Sequence, residues 1–142
     1  MSPADIRGGR DETSVRLHRY TLPGGWTVLA GRTDRDNEWL SLRVARANDW
    51  WFHVRGLPGS HVVLQVPAGA DPDRATVRAA AAIAAWHCKK RGAKQVAVTA
   101  ARARYVSKSP GSPPGTVQVR REVVLLVRPA LPVGNQIPPE VS

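Results

Sequence analysis

Two histidines, His53 and His61, stand eight residues apart in "NDWWFHVRGLPGSHVVL", residues 48–64, among two tryptophans, a phenylalanine and Arg55. An imidazole pair flanking one turn has four uses. It could pass a proton as general acid and base, hold a metal ion, meet an anion, or simply pack on tryptophan and backbone groups. A metal site wants a third and a fourth ligand. No close Asp/Glu/Cys/His cluster offers them, and His87 and Cys88, adjacent on a helix, project about 100° apart. HExxH, paired CxxC, GxSxG and GxxxxGK[ST] are missing from the chain, so zinc proteolysis, nucleophile-elbow hydrolysis and P-loop chemistry find no support. The reading is no cofactor, no metal and no catalytic residue, with an enzyme built on His53 and His61 as the alternative.

Charge supplies the next clue. The 142 residues carry +10, and the excess is one-sided. Up to Asp73 there are nine Lys/Arg against nine Asp/Glu; from Arg74 onward there are twelve against two, Glu122 and Glu140. Such asymmetry is the electrostatic footprint of a nucleic-acid or anionic-surface binder. Lys89, Lys90, Arg91 and Lys94 cluster at the end of a predicted helix. Arg102, Arg104 and Lys108 share the parity of a strand face, with Tyr105 and Val106 between. Two basic elements near one sheet edge would make a phosphate-tracking groove. Trp51, next to Arg55, is the expected surface aromatic, placed to stack on an unpaired base unless a helix covers that face too. The imidazoles of His53 and His61 and the free amides around Ser60 add an anion-facing surface. On this footing the enzyme alternative becomes a small RNA-processing or RNA-modification subunit.

Holding these residues takes a sheet. "SVRLHRYTL" and "WTVLAGR" alternate as strands around a Pro-Gly-Gly turn. In "DNEWLSLRVARAND", Asp36 or Asn37 serves as N-cap, and Leu40, Val44 and Ala47 form one stripe of a short helix, with Arg43 and Arg46 on a wetter face. Along "DWWFHVR", Trp50, Phe52 and Val54 point one way and Trp51, His53 and Arg55 the other. Leu57-Pro58-Gly59-Ser60 fits a type II turn, with "HVVLQV" the next strand. "DPDRATVRAAAAIAAWHCKKRG" predicts a long helix capped by Asp71, with Pro72 in its first turn and Gly92 at its stop. Strands at "AKQVAVTA", "RARYVS", "GTVQVRR" and "EVVLLVRP" complete an α/β (α+β) fold, a mostly antiparallel sheet with one long Ala-rich helix and one short one. Residues 1–13 read as a flexible leader, 14–128 as a single domain and 129–142 as a proline-rich tail. One cysteine, Cys88, allows no internal disulfide and suits a reducing compartment. No signal peptide or apolar span is found, so the expectation is a cytoplasmic protein that does not engage a membrane.

The ordered set "GGWTVLAGR", "D-x-W-F-H-V", "PGSHVVL", "AAAIAAWHCKKR", "RYVSK" and "PGTVQV" resembles the NFACT-R domain, the RNA-binding domain of the NFACT proteins of ribosome-associated quality control. The resemblance spans roughly residues 20–127 and fits the stand-alone version of the domain. It implies a non-catalytic RNA-binding module that contacts transfer RNA or large-subunit ribosomal RNA, with possible ribosome association. Asp49, Trp51, Phe52, His53, Pro58, Gly59, Ser60, His61, Tyr105, Lys108 and Gly115 match the motif positions. The resemblance leaves Gly59 and Gly115 to backbone geometry and Phe52 to the core. With 142 residues, no room is expected for the other domains of the long members, so their alanine-tail elongation is not carried over. Pro113, Ala100 and Cys88 depart from the family pattern. The expected RNA-binding set is Arg43, Trp51, His53, Arg55, Ser60, His61, Lys89, Lys90, Arg102, Arg104, Tyr105 and Lys108.

Overall fold

Strand alternation builds a six-stranded sheet, all of whose pairings are antiparallel. The computed structural model describes residues 17–133; the expected leader (1–13) and the tail beyond residue 133 lie outside the described residues. In chain order the strands are β1 (Leu17–Leu22), β2 (Trp26–Gly31), β3 (Trp50–Val54), β4 (Val62–Leu64), β5 (Val96–Arg102), β6 (Val106–Ser107), β7 (Gln118–Val119) and β8 (Val123–Val127). The sheet order is β1-β2-β4-β3-β5-β8, and β6 and β7 form a separate two-stranded ribbon. Central register is set by Phe52 opposite Val62 on one side and Ala100 on the other. The small Ala100, a departure from the family pattern, thus lies in the core beside Phe52 and is fully buried.

Each face of the sheet is covered differently. Phe52, Val54, Val62, Leu64 and Val98 pack against Ala80, Ala81, Ile83, Ala84 and Ala85 of the long helix, α2 (Arg74–Trp86). Alanines let the helix axis lie close to the strands, as their spacing predicts. The opposite face packs Leu29, Val63 and Trp51 under Leu40 and Val44. Those two belong to a π-helical turn, Leu40–Val44, that continues the short helix α1 (Asp34–Trp39). Trp51 is therefore 2% exposed, and its placement as a surface aromatic is corrected. The strand alternation holds; the cover on that face comes from the short helix. Beyond β8, the Ala130 N–H donates to the Ala82 carbonyl at 3.2 Å and Leu131 packs against the core, so the packed chain runs past residue 128.

Several local expectations move. Thr33, not Asp36 or Asn37, caps α1, its hydroxyl accepting from the Asp36 N–H at 3.0 Å. Ala47 falls beyond the helical stripe and is exposed. Asp73, not Asp71, caps α2 by accepting from the Thr76 N–H at 2.8 Å, and the helix stops at Trp86, well before Gly92. Lys89, Lys90 and Arg91 thus follow the helix in a turn. "RARYVS" breaks after Arg102 into a 3₁₀ turn, Ala103–Tyr105, before the short β6. Strand parity therefore does not carry from Arg102 to Arg104 and Lys108.

Candidate nucleic-acid interface

The connection between β3 and β4 forms a ridge between two open clefts. Its positive-φ glycine is Gly56 (φ 74°), while Gly59 lies outside that region, so the expected type II turn over residues 57–60 is not formed. Gly59 is demanded by close approach: it bridges to Cys88 in antiparallel fashion, and a Cβ there would sit 3.0 Å from both the His87 carbonyl oxygen and Val54 Cγ1. The Ser60 N–H donates to the same His87 carbonyl at 3.3 Å, and its hydroxyl to the Gly31 carbonyl at 2.6 Å. These contacts bring the end of α2 and the end of β2 together. Around Gly59 and Ser60 lies a cleft of about 660 Å³, also lined by Arg32, Asn37, His87, Lys89 and Arg91, with Asp34 on its wall. Arg32, Lys89, Lys90 and Arg91 are exposed. Among the described residues no carboxylate pairs with them. Arg91 lies 4.9 Å over the Trp86 ring, which holds its guanidinium plane without neutralising it.

His87 turns its other side inward. Its Nε2 lies 2.7 Å from the Tyr20 hydroxyl, and its ring stacks on His18 at 4.8 Å. Burial, then the nearby His18 and Arg91, push its pKa down to about 4. His18 is lowered too, by burial and by Arg32. Both rings are thus neutral near pH 7, and the cations around them make the site ready for an anion.

On the other side of the ridge, His53, Arg55 and Gly56 line a second cleft of about 660 Å³, shared with Thr99, Thr116 and Glu122. His53 and His61 do meet, their rings 5.2 Å apart edge to face. They are not equivalent. His61 is 4% exposed. Its Nδ1 lies 2.7 Å from Ser41 Oγ, which accepts a 2.8 Å bond from Trp51 Nε1. Indole nitrogen only donates, so every proton in this chain is used when Ser41 donates to Nδ1 and neutral His61 carries its proton on Nε2. Burial, reinforced by His53, lowers the His61 pKa to about 4, against backbone groups at Asn37 and Gly115 and the charge of Glu38. His53 is half-buried, lowered by desolvation and partly restored by a hydrogen bond to the Gly59 backbone. His61 and Trp51 line the inner wall of this cleft as nearly buried side chains held by Ser41, so the expected anion-facing pair of imidazoles reduces to His53 at the surface. Asp49, completely buried, is scaffold: its carboxylate accepts from the N–H groups of Arg46 (2.9 Å) and Val66 (2.8 Å).

The remaining expected contacts lie elsewhere. Arg102 pairs with Trp50 at the start of β3, stacks over that ring at 4.5 Å and donates to the Asn48 carbonyl at 2.7 Å. Lys89 and Lys90 sit beyond the opposite end of β3. Seven-residue β5 makes the separation about 20 Å. The single basic groove at one sheet edge is therefore replaced by two basic ends. Arg43, exposed, lies 5.5 Å over the Trp39 ring. Arg104 bonds the Asn48 side chain at 2.6 Å. Tyr105 is flanked by the guanidiniums of Arg104, Arg120 and Arg121 at 6.0, 5.8 and 5.6 Å. Lys108 is occupied internally: its ammonium pairs with Glu38 at 2.6 Å and donates to the Ser112 carbonyl at 3.0 Å, while the Gly115 N–H donates to the same Glu38 oxygen at 3.0 Å. Those contacts hold Glu38 below its usual pKa and fasten the 108–115 loop to α1. Arg32, Arg120 and Arg121 were not in the expected set. Each ends or follows a strand as an ordinary basic residue, and nothing in the local pattern distinguishes it.

A family model described as "NFACT protein RNA binding domain" matches residues 16–121. The chain belongs to the NFACT-R family. Among its relatives, the Rqc2 homolog RqcH of Bacillus subtilis (strain 168) is 37% identical over 113 residues, covering 80% of this chain and 19% of that protein. RqcH of Streptococcus suis (strain 05ZYH33) is 34% identical over 112 residues, covering 78% and 20%. This NFACT-R chain spans about a fifth of the length of the curated relatives it matches. The C-terminal part of the fibronectin/fibrinogen-binding protein from Streptococcus suis shares the fold, with a TM-score of 0.74 and 30% identity over 92% of this chain and 58% of that one.

Proposed function

We propose that this NFACT-R chain is a non-catalytic RNA-binding module of ribosome-associated quality control, acting in the cytoplasm on transfer RNA or large-subunit ribosomal RNA. One observation carries the reading. The Gly59–Cys88 bridge gathers Arg32 with the sequence-distant Lys89 and Arg91 around one open cleft, where among the described residues no carboxylate pairs with them. Phosphates lie in that cleft, held by the point charges of Arg32, Lys89 and Arg91; the Ser60 and His61 N–H groups, expected to be free, are spent on the His87 carbonyl and the Asn37 side chain. A base or ribose crossing the ridge meets His53 and Arg55 in the second cleft. The family and the RqcH relatives support RNA as the ligand. Against the acid–base alternative stands the near-complete burial of His61, whose Nδ1 is engaged by Ser41.

The test is fluorescence anisotropy with a labelled transfer RNA over a salt series. If about four to six phosphates are contacted, log affinity falls against log salt with a slope near −3 to −5. The paired reversal Lys89→Glu with Arg91→Glu lowers affinity at least tenfold and flattens the slope by about two. Arg104→Glu with Arg120→Glu, at the far end, has a smaller effect. A flat salt response, or a larger loss from the far end, would overturn the assignment of the interface.

A further inference from the structure

The two edges of the sheet are built differently. Strand β1 sets exposed Arg19 and Thr21 among its apolar residues, the polar interruption that keeps an edge from pairing. Strand β8 carries Val123, Val124 and Leu126 at 50%, 44% and 51% exposure, with no charge or proline between residues 123 and 127. Among the described residues no strand pairs with its outer side. The Arg55 N–H bonds the Ala97 carbonyl at 2.9 Å, so the polar groups of Ala97 face β3. Leu126, opposite Ala97 on β8, then turns its N–H and C=O to the free edge. Arg78 confirms this by donating to the Leu126 carbonyl from outside the sheet at 2.6 Å, which leaves that oxygen a second lone pair. Strand period two makes Val124 face the edge as well.

The charge pattern says what fits there. In "EVVLLVR", residues 122–128, Glu122 and Arg128 stand three residues on either side of Leu125, and both are exposed. We propose that a second copy of this chain pairs with the first through antiparallel β8 strands across a two-fold axis at Leu125. In that register Glu122 of each copy faces Arg128 of the other. Val124 and Leu126 exchange backbone hydrogen bonds with their counterparts, and their side chains merge on one face. Val123 meets Val127 on the helical face. The strip is self-complementary in hydrogen bonding, apolar surface and charge, which is what an isologous contact requires. It is short, so association in the micromolar range is expected.

Sedimentation velocity of nuclease-treated full chain, from low to high micromolar, tests this. Wild type shows a reversible monomer–dimer equilibrium, and Leu126→Glu remains monomeric throughout. Glu122→Arg, which sets arginine against arginine twice, weakens the dimer about tenfold, and adding Arg128→Glu restores it to within about threefold of wild type. Circular dichroism of each variant separates loss of pairing from loss of fold. A wild-type chain that stays monomeric, a dimer indifferent to Leu126→Glu, or a charge swap without rescue would each overturn the proposal. So would dimerisation gained only on deleting residues 134–142, which would give the edge to the chain's own end. A dimer lost with nuclease would assign the contact to RNA.

Discussion

Trp51 and Phe52 are neighbours in sequence and end on opposite faces of the sheet, one under the π turn and the other under α2. Alternation separates them in any strand, so their opposition was legible from the sequence. Whether Trp51's face was wet depended on α1, whose six residues gave no sign of how far they would reach across the sheet. Because Trp51 is buried and its indole N–H is spent on Ser41, Trp51→Ala should act on stability. The expected cost is about 3–5 kcal/mol from the cavity and the orphaned Ser41, read by urea denaturation. Retained stability with a selective loss of single-stranded RNA binding would contradict the buried assignment. Arg32 teaches the reverse lesson. As one basic residue after a strand it carries no local signal, and only its place across from Lys89 gives it a role.

The β3–β4 connection is the element on which the site depends. Pro58-Gly59-Ser60 announces a turn in the sequence, but the use of Gly59 is decided by α2, which ends where His87 can accept from Ser60 and crowd any Cβ. Gly59→Ala should therefore push the ridge off α2, costing about 1–3 kcal/mol and weakening RNA binding by opening the Arg32–Lys89 cleft. Gly92→Ala, with open space around it and no positive φ, should change stability by less than about 0.5 kcal/mol. Urea midpoints and anisotropy at one salt concentration compare the two; equal effects would mean that the close packing at Gly59 is not needed. The same logic explains Lys108. As a charge near a proline-rich loop it reads as a phosphate contact, yet Glu38, 70 residues away, takes its ammonium.

Across the whole molecule, His61 and His87 lie at separate sites and share one thermodynamic consequence. Each pKa falls from the usual 6.5 to about 4, chiefly through burial, with His53 pressing on one and His18 and Arg91 on the other. The unfolded chain binds these protons near pH 6.5, whereas the folded chain refuses them until about pH 4. Protons therefore favour unfolding in that window, and stability is lost as pH falls from about 6.5 to about 4. The slope approaches two protons, about 2.7 kcal/mol per pH unit at its steepest. Urea denaturation across this range checks it; a flat profile would mean that both rings charge freely in the folded state.

Strand alternation, the alanine run, the neutral first half and the basic second half are properties of neighbouring residues, so the sequence alone determined the fold class, the long helix and the excess of cations. Family membership was likewise legible, in the Trp-Phe-His and Pro-Gly-Ser-His pieces taken in order. Tertiary structure decided which imidazole meets solvent, which tryptophan is sealed, and which cations stand together. Those outcomes depend on distances between segments separated by tens of residues, set by where α1 lies and where α2 stops. Charge adds along a chain, but an electrostatic site depends on spacing in three dimensions, and a strand about 20 Å long was enough to divide one expected groove into two ends.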